Sequence, residues 1–239
     1  MNGTRVALIA VVAVCALAVW WRHNRAADNH WLSREFIVET TLARLDTPII
    51  VLGDSIVEAS TLPRSVCGHP IVNAGIGGAS TKSGLGSMIS EALNGKQAAV
   101  ILVSLGSNDA VIPSSVKTYE SDYRALLEDL APLTSRRAIL AIPLPEAGFE
   151  QSKKLSSSTV KAYNEVLPSL AEETHAIFVP LPAMPDRHTI DGIHLNTEGY
   201  KVWDRAVISG LEAAVCNEGE SAMSPIKSSK PPNSALRSN

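Results

Sequence analysis

Short aliphatic runs recur through the middle of the chain, and between them lie longer stretches whose apolar side chains return every three or four positions. The first run, Ile49, Ile50, Val51 and Leu52, follows Pro48 and stops abruptly at Gly53, Asp54 and Ser55. An uninterrupted aliphatic run rich in β-branched residues predicts a strand buried on both faces, as a parallel sheet requires. The same reading predicts strands over 71–74, 98–104, 138–142 and 177–179 and helices over 82–93, 116–130, 159–173 and 197–215. In the second helix Tyr119, Tyr123, Leu126, Leu127 and Leu130 form the stripe of a helix lying on a sheet. Strand and helix alternate throughout. That implies right-handed crossovers and an α/β fold, a three-layer α/β/α sandwich around a five-stranded, mostly parallel sheet.

The flanks follow other patterns. Residues 6–21 carry no charge, are bounded by Arg5 and Arg22, and end in Trp20 and Trp21. As a helix they would reach about 24 Å, short of the roughly 30 Å hydrocarbon core of a bilayer unless neighbouring residues extend them. A run apolar on every face with terminal tryptophans predicts a transmembrane or signal helix. Ala16, Leu17 and Ala18 resemble a signal-peptidase site, but the tryptophans and arginine just beyond favour an uncleaved anchor. The flanking charges leave its orientation open. Residues 26–47 are expected to form a connector, with a helix starting near Ser33. Residues 217–239, rich in Ser, Pro, Asn and Lys, are expected to be disordered. The expected organisation is therefore an anchor or signal over 1–25, a connector over 26–47, the α/β domain over 48–216 and a tail over 217–239.

Composition narrows the function classes. Twenty-one basic and twenty-four acidic residues give a net charge of −3 with no block of one sign, so nothing points to nucleic acid. Cys15, Cys67 and Cys216 have no zinc spacing, and neither a metal nor a cofactor is expected. Gly75, Gly77 and Gly78 do not have dinucleotide-loop spacing, and they follow the second predicted strand rather than the first. A monomer is expected.

The chemistry sits at the carboxyl ends of the strands, where open α/β sheets place their ligand sites. Ser55 follows the first strand, residues 73–78 (Asn-Ala-Gly-Ile-Gly-Gly) the second, and residues 106–109 (Gly-Ser-Asn-Asp) the third. Asp191 and His194 come after the fifth, just before the last helix, for which Asn196 is the expected N-cap. A serine hydroxyl needs a neutral imidazole to take its proton, and His194 is the candidate base. Asp191 can fix the tautomer of that ring. The Ser55 N–H, a backbone N–H from the glycine turn and the Asn108 amide are candidate oxyanion donors. Asp54 is expected to brace the loop by hydrogen bonding. His23, His30, His69, His175 and His188 lack an evident carboxylate partner and are read as solvated or structural.

These stretches resemble the sequence blocks of the SGNH/GDSL hydrolases, serine esterases and lipases with a flavodoxin-like sandwich. The resemblance spans residues 49–215 and implies Ser55, His194 and Asp191 as the catalytic triad, with Ser55, Gly78 and Asn108 forming the oxyanion hole. The chain departs from many members at Ala79 and Ser80, where an acidic residue is usual; this bears on substrate more than on chemistry. The expected function is hydrolysis of acyl esters through an acyl-enzyme. Short acyl or carbohydrate O-acyl esters are favoured because residues 143–158 are too polar for a greasy lid. Acyl transfer to a sugar, lysophospholipase or thioesterase activity, and a non-enzymatic binding module are the alternatives. The expected location is extracytoplasmic, with membrane attachment through the N-terminal helix.

Topology adds one expectation. Cys67 precedes the second strand and Cys216 follows a last helix running antiparallel to the strands, so both reach the face of the sheet opposite the site. A disulfide between them, or two unrelated buried thiols, are the two outcomes.

Overall fold

The computed structural model describes residues 3–111 and 114–216; within 3–24, side chains are described only for Cys15 and Ala16. The expected tail, 217–239, lies outside the described residues.

Each predicted aliphatic run is a strand. β1 (Ile49–Gly53) is central and buried along its whole length. It pairs in parallel with β3 (His69–Gly75), Ile49 beside Ile71, and with β4 (Val100–Ser104), Ile49 beside Val100. β5 (Arg137–Leu140) and β6 (Ile177–Val179) continue the parallel set beyond β4. Side chains alternate between the faces. Ile50, Leu52, Ile101 and Val103 enter one core layer, and Ile49, Val51, Val100 and Leu102 the other.

The sheet has six strands rather than the expected five, in the order β2-β3-β1-β4-β5-β6. The added strand, β2 (Ser65–Val66), pairs antiparallel with β3. Its connecting residues, Cys67 and Gly68, both have positive φ (47° and 83°), the twist that suits a two-residue hairpin loop. Two residues are too few to show a periodicity. The hairpin also carries Cys67 to the disulfide with Cys216, with Cα atoms 5.6 Å apart.

Helices cover both faces. α3 (Leu85–Leu93), α5 (Val116–Leu130) and α6 (Ser157–Glu173) pack on one, where the α5 stripe Tyr119, Tyr123, Leu126, Leu127 and Leu130 is buried. On the other lie the short α2 (Ser55–Glu58) and α7 (Thr197–Val215), the latter burying Trp203, Val207 and Leu211. A short α4 (Ser107–Val111) follows β4.

The N-terminal part departs most from expectation. The stretch expected as an anchor and most of the connector form one helix, α1 (Gly3–Leu42). The anchor stretch 6–21 falls almost wholly on side chains outside the described residues. Among the described residues no helix is long and apolar enough to cross a membrane. The later turns of α1 belong to the core, with Val38 and Leu42 fully buried. Lys96 Nζ closes the end of the helix, donating to the carbonyls of Leu42, Ala43 and Leu45 at 2.8–3.0 Å; a cation on the last carbonyls is favoured there. From that end α1 runs antiparallel to the strands and reaches the carboxyl end of β3, where Arg34 Nε donates to Gly75 O at 2.9 Å.

Candidate active site

β1 delivers Ser55 to the carboxyl edge of the sheet as the first residue of α2. Asp54 caps that helix, its Oδ1 accepting from Ile56 N at 2.9 Å, the bracing expected of it. Burial pushes the Asp54 carboxyl up to about 6, against the Ile56 N–H and His194, which favour its charged form.

Ser55 Oγ lies 2.9 Å from His194 Nε2, and His194 Nδ1 lies 2.7 Å from Asp191 Oδ2. A carboxylate facing Nδ1 selects the tautomer protonated there, which leaves Nε2 free to accept from the serine hydroxyl. The other Asp191 oxygen accepts from Ile193 N at 3.0 Å and His194 N at 2.9 Å. Burial opposes ionisation of Asp191, yet the His194 ring and these two N–H groups hold its carboxyl below the ordinary range. The loop closes on itself through Ile190 N to His194 O, 2.9 Å, and α7 starts from Asn196, whose side chain accepts from Glu198 N and Gly199 N.

The glycine turn is built against α2. A side chain on Gly75 would collide with the backbone of Val57 and Glu58, so only glycine allows this approach. Asn73 ties the two together, donating to Val57 O at 2.6 Å and accepting from Gly75 N at 3.0 Å. Gly78 has φ 83° and open space around it, a conformation that favours glycine. Asn108 Nδ2 donates to Ala79 O at 2.9 Å; an amide nitrogen carries two hydrogens, so one remains for a ligand. All five residues expected at the site therefore gather at one edge of the sheet, with Asn108 anchored to the residue after Gly78.

Three carboxylates around the site make contacts that the sequence reading did not foresee. Glu58 accepts from Gly77 N at 2.6 Å and from His30 Nε2 at 3.1 Å. Glu146 Oε2 accepts from His188 N and Thr189 N at 3.0 Å and from the Thr189 hydroxyl at 2.8 Å. Asp109 accepts from the N–H and hydroxyl of Thr81, and burial raises its carboxyl above the ordinary range against those bonds. Two histidines read as lacking a carboxylate thus have one nearby: His30 contacts Glu58, and His188 Nδ1 lies 3.9 Å from Glu146. A carboxylate three residues after a candidate serine was the available signal for Glu58; nothing local marked Glu146. Among the described residues no group of three ligating side chains converges on a metal position.

An apolar cleft of about 470 Å³ between β6 and α7 includes neither Ser55 nor His194. A second cleft of about 490 Å³, of mixed lining that includes Thr61, Ile190, Asn196, Tyr200, Lys201 and Asp204, borders the loop that carries Asp191 and likewise includes neither Ser55 nor His194.

Residues 51–202 match the GDSL-like Lipase/Acylhydrolase family. No curated protein matches the chain. Among solved structures, a protein from Streptococcus pneumonia, provisionally described as a platelet activating factor, is 25% identical, with a TM-score of 0.68 over 82% of this chain and 99% of that one. A lipase/acylhydrolase from Enterococcus faecalis is 16% identical, with a TM-score of 0.57 over 70% of this chain and 95% of that one. A catalytic mutant of an acetylxylan esterase from Geobacillus stearothermophilus is 18% identical, with a TM-score of 0.55 over 70% and 94%.

Proposed function

The chain belongs to the GDSL-like lipase/acylhydrolase family, and on that premise we propose that it is a serine ester hydrolase working through Ser55, His194 and Asp191. The observation that carries this is the unbroken hydrogen-bond chain from Ser55 Oγ through the His194 ring to Asp191. The Ser55 hydroxyl attacks the ester carbonyl carbon as its proton passes to His194 Nε2. The oxyanion that forms is stabilised by the N–H groups of Ser55 and Gly78 and by the free amide hydrogen of Asn108. Collapse expels the alcohol, which takes the proton from Nε2 and leaves an ester on Ser55. Water, deprotonated by His194, then releases the acid and restores the hydroxyl. Asp191 keeps Nδ1 protonated and stabilises the imidazolium formed in each half.

The acyl group taken is short. Of the larger apolar side chains in the polar stretch 143–158, Leu155 is buried in the core, which leaves little from which to build a greasy lid. In the cleft beside the Asp191 loop, Asn196, Thr197, Lys201 and Asp204 offer polar groups to a hydroxyl-rich alcohol, such as a carbohydrate, as the other half of the ester. A disulfide supports an oxidising, extracytoplasmic location, with residues 6–21 as the attachment to the membrane. Fractionation of cells expressing the full chain tests the last point, because recovery in the soluble fraction would remove the anchor.

The activity is tested by labelling with a fluorophosphonate and by an acyl-chain-length series of model esters. Covalent modification of Ser55, with turnover highest for acetyl and propionyl esters, is expected. A purified protein that neither labels at Ser55 nor cleaves any ester would leave only a binding module.

A further inference from the structure

The segment matched by the family begins at residue 51, yet the glycine turn is held by side chains that precede it. Glu58 lies one helical turn after Ser55 in α2, on the same side of that helix. Its Oε2 accepts the Gly77 N–H at 2.6 Å. The same oxygen faces His30 Nε2 at 3.1 Å, and Oε1 faces Arg34 Nε at 3.7 Å. His30 and Arg34 are four residues apart and so share one face of α1. Arg34 reaches further, donating from Nε to Gly75 O at 2.9 Å and from Nη2 to Asn73 O at 3.2 Å. The carboxylate and the guanidinium are both largely shielded, with side chains 22% and 17% exposed. A Cβ added at Gly77 would sit 3.2 Å from Glu58 Oε2, 3.4 Å from His30 Nε2 and 3.9 Å from Ser55 Cβ. The cluster therefore lies beside the serine itself.

We propose that Glu58, held by His30 and Arg34 of α1, is a positioning residue that fixes the Gly77–Gly78 turn so that the Gly78 N–H points at the developing oxyanion. The proposal rests on the hydrolase reading above. A glycine pair has more accessible backbone states than any other dipeptide, so an unrestrained turn would spend little time with its donor aligned. A hydrogen bond from the preceding amide to a carboxylate is charge-assisted and among the stronger restraints available. A bare carboxylate next to an oxyanion would oppose the charge that develops there. The Arg34 guanidinium offsets that repulsion. In this arrangement α1 is part of the catalytic apparatus rather than a connector, and α2 carries both the nucleophile and the brace for the donor that serves it.

The test uses the full chain and p-nitrophenyl acetate. Glu58→Ala should lower kcat about tenfold with KM changed less than about twofold, the signature of an interaction needed only in the transition state. Glu58→Gln keeps an oxygen that can accept the Gly77 N–H, and should recover most of the loss. Arg34→Ala should behave like Glu58→Ala, with the double variant little worse than either, because the two act as a unit. An unchanged kcat in Glu58→Ala, a loss confined to KM, or a Gln variant as poor as Ala would each overturn the proposal. Amide hydrogen exchange at Gly77 supplies a readout independent of turnover: Glu58→Ala should exchange at least tenfold faster there, and an unchanged rate would also overturn it. If the wild-type chain cleaves no ester, or Ser55→Ala still does, the hydrolase reading fails, and the exchange rate at Gly77 alone decides whether the restraint exists.

Discussion

Two glutamates hold the two halves of the site, and they do so by different means. Glu146 secures the acid–base half, accepting three hydrogen bonds from the neutral donors of His188 and Thr189, while its own N–H donates to Gly192 O at 2.9 Å. The Thr189 hydroxyl, together with the backbone donors, holds its carboxyl below the ordinary range. Glu58 secures the oxyanion half, but its partners include the Arg34 guanidinium and the His30 ring, both contributed by a distant helix. Glu146 and the loop it holds both lie inside the span shared with the family, whereas His30 and Arg34 lie outside it. One half of the site is thus self-contained and the other depends on packing between the domain and α1. Changes in α1 should disturb the oxyanion half and spare the other.

Substitutions can break that contrast at several depths. Ser55 belongs to both halves, so Ser55→Ala should have the largest effect, a fall in kcat of roughly 10⁶, with a Tm close to wild type. Turnover retained by a pure mutant would remove the nucleophile assignment. Asp191→Asn strikes only the acid–base half by spoiling the ring tautomer, and should cost roughly 10⁴ in kcat. Asn108→Ala strikes only the oxyanion half and should cost roughly 10²–10³ with KM little changed; a change in KM alone would make Asn108 a substrate-binding residue. Glu146→Ala acts on the acid–base half through geometry, and a displacement of His194 of up to 1 Å would cost up to roughly 10². The double variant Glu146→Ala/Glu58→Ala should give multiplied losses if the two braces are independent, and a smaller combined loss would show them coupled.

The last effect falls on stability rather than turnover and concerns Asp54, which caps α2 and is buried. Its folded value of about 6 lies above the ordinary 3.8. The native state therefore holds this proton more tightly than the unfolded chain does. Its contribution to stability is fully present below about pH 4 and is lost as pH rises through about 6, leaving a cost on the order of 3 kcal/mol at neutral pH. Asp54→Asn keeps an acceptor for the Ile56 N–H and should raise thermal stability at pH 8 but not at pH 4. An equal gain at both values would show that burial of charge is not the cause.

The strands were legible because each is an aliphatic run, with β1 and β4 buried on both faces. Ser55 was legible because it follows such a run directly, and Asp191 and His194 because they stand three residues apart just before the last helix. The polar residues that hold them were harder to find. Glu58 acquires its role only when α1 lies beside β3, and His30 and Arg34 sit on a helix whose polar face resembles any solvated one. Lys96 looks like an ordinary loop lysine until three carbonyls at the end of α1 converge on it. Glu146 stands more than forty residues from the loop it secures. Short-range patterns report which side chains are buried; they do not report which distant donors a carboxylate will meet. β2 escaped for a simpler reason, being too short to have a pattern.

The disulfide changes how the molecule bears load. If the chain is pulled by its two ends, the continuous covalent path runs through residues 1–67, across the bond between Cys67 and Cys216, and on through the tail. Residues 68–215 hang from that path as a closed loop and carry no tension. Gly78, Asn108, Asp191 and His194 all lie within the loop, while Ser55, Glu58 and α1 lie on the loaded strand. Force would therefore bear on α1, β1 and α2 first, and because β1 is the central strand, paired with β3 and β4, the serine can leave its histidine only when the middle of the sheet tears.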